Sequence, residues 1–391
     1  MINKVFNVAK NMYNKQMVQK KLRQEEERNS SLPVNNKKVL FDNFGGKGFG
    51  CNPKYIAQEL IRQDAGLDLV WMVNDENAYV PSPIRKVKYG TAEARTEMAT
   101  AKVVVTNRRM VIKNKKADQY LIQTWHSSFG IKCVEQEAEA LLPEDYVKMA
   151  KKSSEQTDVF VSGGSLATER YKNHFWYEGE IMECGCPRND ILFVDSPETV
   201  KKIKENLGIN DDSRLVLYAP TFRAGSSLEI YNFDCRQMLE TLNNRGGRWK
   251  ILVRLHPNAS KLAGIDKLFT YDEDIIDATA YPDFQELMLA SDVLITDYSS
   301  SIFDFALMGR EIFMYTPDLE EYKKERGVRK MFFEIPYEMC LDNAQLNMVA
   351  AQSTPQDAKE RADKLSAMLC SADKGNASAA VAQRIRAVTG I

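Results

Sequence analysis

Nine short apolar runs, each followed by a longer stretch of helical pattern, constrain this chain more than any other feature. Lys38–Asp42, Leu67–Val73, Lys102–Thr106, Tyr120–Gln123 and Asp158–Ser162 are rich in β-branched residues and almost unbroken by polar ones. Strands of an antiparallel sheet with one wet face alternate instead; unbroken runs belong to parallel strands covered on both faces. The alternation pauses at the polar stretch 195–199 and resumes with Leu215–Tyr218, Ile251–Leu255, Val293–Thr296 and Ile312–Tyr315. At 391 residues the chain exceeds one ordinary core. The pattern therefore predicts an α/β protein of two doubly wound, Rossmann-type domains facing each other across a cleft, with ligands at the carboxyl ends of strands. The boundaries expected are 37–195 and 196–391, the second including the terminal helices. A helix is expected at Pro53–Ile61, with Asn52 as its N-cap.

Residues 1–36 stand apart. Lys4, Lys10, Lys15, Lys20, Lys21 and Arg23 precede any acidic residue, and Ile2, Val5, Phe6, Ala9, Met12, Tyr13 and Met17 recur at helical spacing. This describes a basic amphipathic helix, suited either to an anionic membrane surface or to packing on the body of the protein. No apolar run approaches the ~18 residues that span a bilayer. The expected location is cytoplasmic, peripheral on the inner face of the cell membrane. With 53 basic and 54 acidic side chains the net charge of -1 gives no pull toward nucleic acid. Seven scattered cysteines read as reduced thiols, and Cys184-x-Cys186, with no second ligand pair, reads as small buried side chains rather than a metal site.

Of three histidines, His126 and His256 directly follow predicted strands, one in each half. Both are expected in the cleft, where imidazole moves protons near neutral pH or donates to a phosphate oxygen. His174, within an aromatic helical stretch, is read as structural. Strand 293–296 runs into Asp297-Tyr298-Ser299-Ser300-Ser301, a serine run opening a helix, where hydroxyls and free N–H groups suit an anion. Tyr218-Ala-Pro220-Thr221-Phe-Arg223 ends another strand with a guanidinium fit for phosphate, and Arg188 in Pro187-Arg-Asn-Asp190 is of the same kind. Phe44-Gly-Gly-Lys-Gly-Phe-Gly50 matches neither a P-loop nor a dinucleotide fingerprint and is read either as a flexible loop lining the acceptor side or as a tight turn. No paired carboxylates, Ser/His/Asp order or metal-ligand cluster stands out.

In their order, Gln123-Thr-Trp-His126, Cys186-Pro-Arg-Asn-Asp190, Tyr218-Ala-Pro-Thr-Phe-Arg223, Arg254-Leu-His-Pro257, Ser291-Asp-Val-Leu-Ile-Thr-Asp-Tyr-Ser-Ser300 and Asp318-Leu-Glu-Glu-Tyr322 resemble the CDP-glycerol glycerophosphotransferase family. These are the polymerases and primases of wall teichoic acid and related capsular polymers. The resemblance implies a GT-B-like fold with the donor on the C-terminal domain and His126 and His256 as the catalytic pair. It also implies a donor site built from Arg223, Thr221, Pro220, Asp297, Ser299, Ser300 and Arg188. The implied substrates are CDP-glycerol or CDP-ribitol and a lipid-linked or polymer acceptor, with no cofactor and no metal. Family members often have Trp-His-Gly-Thr-Pro where this chain has Trp125-His-Ser-Ser-Phe129, and tyrosine or threonine in place of Cys186. The alternatives are a GT-B glycosyltransferase using a nucleotide sugar, and an inactive binding protein on the same fold.

Overall fold

The computed structural model describes residues 17, 19–127, 129–223, 228–256, 258–326 and 328–391. The first sheet comprises β1 (Asn35–Asp42), β2 (Asp68–Val73), β3 (Arg85–Lys88), β4 (Ala101–Thr106), β5 (Tyr120–Gln123), β6 (Val159–Ser162) and β7 (Glu180–Glu183). The second comprises β8 (Arg214–Ala219), β9 (Trp249–Val253), β10 (Ile275–Asp277), β11 (Val293–Thr296), β12 (Glu311–Tyr315) and β13 (Met339–Cys340). Their spatial orders are β3-β2-β1-β4-β5-β6-β7 and β10-β9-β8-β11-β12-β13, and every pairing is parallel. Both sheets are doubly wound, with the direction of winding reversing between β1 and β4 and between β8 and β11.

The apolar runs fold this way because both faces of the central strands are covered. In β1, Val39 and Phe41 enter one core with Val103 and Val105, while Leu40 enters the opposite core with Val104. Each such side chain contributes about 1.5–3 kcal/mol on burial, so a one-residue slip of register would cost several of them. Four edge strands, β3, β7, β10 and β13, do not appear among the sequence-based expectations. They are short, and β3 (Arg-Lys-Val-Lys) and β7 (Glu-Ile-Met-Glu) carry charge on exposed positions, as edges do.

Two expectations are corrected. Asn52 does not cap its helix, which runs from Cys51 to Arg62 with Gly50 at the N-cap and no side-chain cap. Its amide instead reaches the carbonyls of Thr124 and Trp125. The terminal helices also divide between the domains. Pro355–Leu369 packs on the second, whereas Ala377–Thr389 crosses back and places Val381, Ala382 and Ile385 in the first core with Ile56, Ala57 and Leu60. Asp190 receives it, accepting from the N–H groups of Ala377 and Ser378 at 3.0 and 2.7 Å.

Of the basic N-terminal helix, residues 1–16 and 18 lie outside the described residues. A helix through 19–31 packs on the first domain, with Glu25 paired to Arg95 and Glu26 to Lys113. Among the described residues no helix is long and apolar enough to cross a membrane.

The domains meet through packed and charged contacts. Phe129 and Ile131 of the first half belong to the core of the second, and Phe129 meets Phe303 edge to face at 5.3 Å. Lys54, almost fully buried, pairs with Asp283 at 2.6 Å and Glu286 at 2.7 Å, and Tyr55 donates to Asp283. Asp283 also caps the helix Phe284–Ala290. Asp283→Ala therefore removes a helix cap and strips a buried ammonium of one partner, with an expected loss of about 3 kcal/mol in urea unfolding. Asp283→Asn, which keeps the cap, should lose less; equal losses would place the whole effect in the lost pairing with Lys54.

Candidate active site

Three segments at the carboxyl edge of the first sheet surround His126: the loop after β1, the residues after β4, and the turn after β5. Asn107 ties them together. Its side chain accepts from the Phe44 N–H at 2.8 Å and donates to Asn43 at 2.7 Å, while its carbonyl lies 2.9 Å from His126 Nδ1. A carbonyl only accepts, so Nδ1 carries the proton and the neutral ring presents Nε2 as a free base. Trp125 stacks on the ring at 4.5 Å and Phe44 meets it edge-on at 5.4 Å. Burial holds the His126 pKa down at about 4, opposed by the Asn107 hydrogen bond and assisted by the Arg188 charge. The imidazole is thus neutral at physiological pH.

The backbone around this ring is strained. Phe44, Cys51 and Trp125 have φ values of +46°, +55° and +50°, left-handed conformations that side chains rarely adopt. In the glycine loop, Gly46 has φ +88°, and a Cβ there would lie 2.9 Å from the Asn74 nitrogen, so only glycine fits. That loop carries Lys47 exposed at its tip.

His256 follows β9 in the second domain, exposed and stacked on Phe222 at 5.7 Å. Its Nδ1 accepts from the Asn258 N–H at 3.1 Å, so the neutral ring carries its proton on Nε2 as a donor. Its pKa is lowered by partial burial and by the charges of Lys47, Lys132 and Arg254. Two of those charges belong to the first domain, so the second histidine faces its glycine loop and the segment after β5. Lys132 also sits over the Tyr322 ring at 5.5 Å. The composition of this loop and the spacing of Lys132 carry no phosphate signature, and sequence reasoning passed over both lysines. A lone lysine among glycines after the first strand was the only available hint.

The expected donor residues separate into two groups. Ser299 and Ser300 are partly exposed at the carboxyl end of β11. Ser299 Oγ accepts from the N–H and hydroxyl of Ser301, at 3.2 and 2.9 Å, and the helix they open, Ser301–Ala306, has only six residues. The Ser300 hydroxyl makes no hydrogen bond among the described residues. Arg223 is engaged within the protein. It is 3% exposed, clamped between Asp297 and Asp318 at 2.8 Å each, donates to the Thr221 carbonyl, and lies against the stacked rings of Tyr298 and Tyr322, 4.7 and 4.8 Å from their centroids. Asp297 also accepts from the Thr221 N–H and hydroxyl, and so shapes the loop after Pro220. Arg188 is engaged in the same way, being 8% exposed and paired with Asp304 at 2.5 Å. Pro257 and Ser128 lie outside the described residues. His174, at 3.9 Å from Glu137, stays outside this group.

With this geometry in hand, comparison with known proteins is informative. A family model described as CDP-Glycerol:Poly(glycerophosphate) glycerophosphotransferase matches residues 26–387. A teichoic acid poly(glycerol phosphate) polymerase of Bacillus spizizenii is 33% identical over 79% of this chain and 80% of its own length. A teichoic acid glycerol-phosphate transferase of Staphylococcus aureus is 27% identical over 91% of this chain and 94% of its own. A solved structure of the wall teichoic acid polymerase TagF superposes with a TM-score of 0.84 at 27% identity, covering 97% of this chain and 96% of that one. The two-domain GT-B-like architecture is shared.

The two histidines are expected to be opposite tautomers, Nδ1–H in His126 and Nε2–H in His256, distinguishable by ¹⁵N chemical shifts of labelled protein. On acidification His126 should stay neutral until pH nears about 4. An unfolded chain binds that proton near 6.5, so His126 subtracts stability progressively as pH falls through that window. A His126 ring that titrates at 6.5 would remove the buried, base-ready state.

Proposed function

Because the chain belongs to the CDP-glycerol:poly(glycerophosphate) glycerophosphotransferase family, we propose that it transfers glycerol phosphate from CDP-glycerol to a hydroxyl of a membrane-linked, teichoic-acid-like polymer, releasing CMP. The observation that carries the assignment of roles is the opposed protonation of two histidines at strand ends of facing domains. In this reading the acceptor hydroxyl gives its proton to His126 Nε2 and its oxygen attacks the phosphorus bearing the glycerol. The bond from that phosphorus to the CMP oxygen breaks, and CMP departs. His256 donates from Nε2 to a phosphoryl oxygen. The nearby charges of Lys47 and Lys132, with the Ser299 and Ser300 hydroxyls, offset charge developing on the phosphates, the term that dominates phosphoryl transfer. Arg223 and Asp297 support this by holding the loop after β8 in place.

The basic segment 1–36 is read as a peripheral contact with anionic lipid, an assignment supported by its lysines and apolar spacing. Removing residues 1–16 should abolish co-sedimentation with anionic liposomes while leaving neutral liposomes unbound in either case; undiminished binding by the shortened chain would end the membrane reading.

CMP release with a lipid-linked acceptor tests the reaction. CDP-glycerol is the expected donor, and release from CDP-ribitol alone or from a UDP-sugar alone would replace that assignment. His126→Ala should lower turnover by about 10²–10⁴-fold with donor binding retained, and near-wild-type turnover in that variant would exclude it as the base.

A further inference from the structure

The turn that carries His126 is held through its carbonyls. The Asn52 amide donates to those of Thr124 and Trp125, at 3.2 and 3.0 Å, and Arg188 Nη1 donates to that of His126. Asn52 is itself fixed, because its Oδ1 accepts from the Arg188 N–H at 3.0 Å. Three successive carbonyls around the left-handed Trp125 are thus fastened by one amide and one guanidinium. Such a conformation persists only where its surroundings over-determine it.

The other side of the same guanidinium crosses the domain boundary. Arg188 Nη2 pairs at 2.5 Å with Asp304 Oδ2, whose second oxygen accepts from Asn189 at 3.0 Å. Asp304 is 1% exposed and lies on the helix Ser301–Ala306, in the turn that directly follows Ser299 and Ser300. Burial works against the Arg188 charge, and Asp304 restores it, with the net result that its pKa rises. A buried ion pair rarely stabilises more than an apolar pair of similar volume, so stability alone does not account for this arrangement.

We propose that the Arg188–Asp304 pair is a positioning device that couples the serine turn of the second domain to the turn bearing His126 in the first, setting the base against the donor phosphate. The proposal rests on the functional reading above. Neither residue touches the reacting atoms; both act through the His126 backbone.

The decisive variant is the double replacement Arg188→Met with Asp304→Leu, which exchanges the ion pair for an apolar one. Expected are a melting temperature near that of the wild type, a fall in kcat of about 10²-fold as the base is misplaced, and a KM for CDP-glycerol within about twofold of wild type. Arg188→Lys, which keeps the charge but cannot hold both Asp304 and the His126 carbonyl, should fold and show the same kcat loss; it decides the matter if the double variant does not fold. Wild-type kcat in either folded variant overturns the proposal, and so does a KM increase that accounts for the whole loss, since that would make Arg188 a donor contact. If the wild-type protein releases no CMP, the functional reading fails separately. The coupling is then read from ¹⁵N spectra of the His126 ring, where loss of the Nδ1–H tautomer in Arg188→Lys supports it and an unchanged ring overturns it.

Discussion

Parallel pairing is the constraint on which everything else in this molecule rests. Strands that all run one way need crossovers of a dozen residues or more, and they deliver every strand end to one edge. In a doubly wound sheet that edge opens where the winding reverses. Here Asn43–Gly50, Asn107 and Thr124–His126 lie at the edge of one sheet, and Pro220–Arg223, Arg254–His256 and Asp297–Ser300 at that of the other. Because Phe129, Ile131 and Lys54 pin the domains together, residues far apart in the chain share one small region.

Within that region, charge is handled in two ways. Lys54, Arg188 and Arg223 are buried, and each is met by carboxylates within 2.5–2.8 Å. A guanidinium so engaged has few donors left for a ligand, and its removal would strand the carboxylates opposite. Lys47 is exposed, and its field together with that of Lys132 is felt at His256. The rigid planar cations therefore hold the framework, while Lys47 stays exposed at the tip of its loop. What an arginine at a strand end cannot show locally is its partner: Arg223 and Arg188 have the chemistry and the position for phosphate, and Asp318 and Asp304 arrive from distant parts of the chain to pair with them.

How far the sequence was legible follows from whether a signal was local. Central strands such as β1, β4 and β11 were readable because burial on both faces leaves an unbroken apolar run. The edge strands β3 and β7 were not, because an edge is protected by charge and looks like a loop. Both cleft histidines and the serine turn were readable from their place after strands. The role of Asn52 was not: as Asn-Pro before a helical pattern it has the local form of a cap, and only the fold brings the Thr124 and Trp125 carbonyls within its reach. Likewise nothing in residues 377–389 announces that they return to the first domain, since their apolar spacing would suit either core.

The protonation states of the two histidines show how backbone contacts become chemistry. Neither ring is held by a carboxylate among the described contacts. His126 is oriented by a carbonyl and His256 by an N–H, and those opposite partners give opposite tautomers. A carbonyl behind Nδ1 leaves a basic Nε2, and an enclosed site keeps it unprotonated; an N–H behind Nδ1 leaves a donating Nε2 in a field of positive charge. The tautomer of each ring is thus set by which backbone group stands behind it. The carbonyl comes from Asn107, whose side chain also ties the glycine loop. The same residue therefore links the shape of the loop carrying Lys47 to the tautomer of His126, and a change that moves the loop also moves the ring.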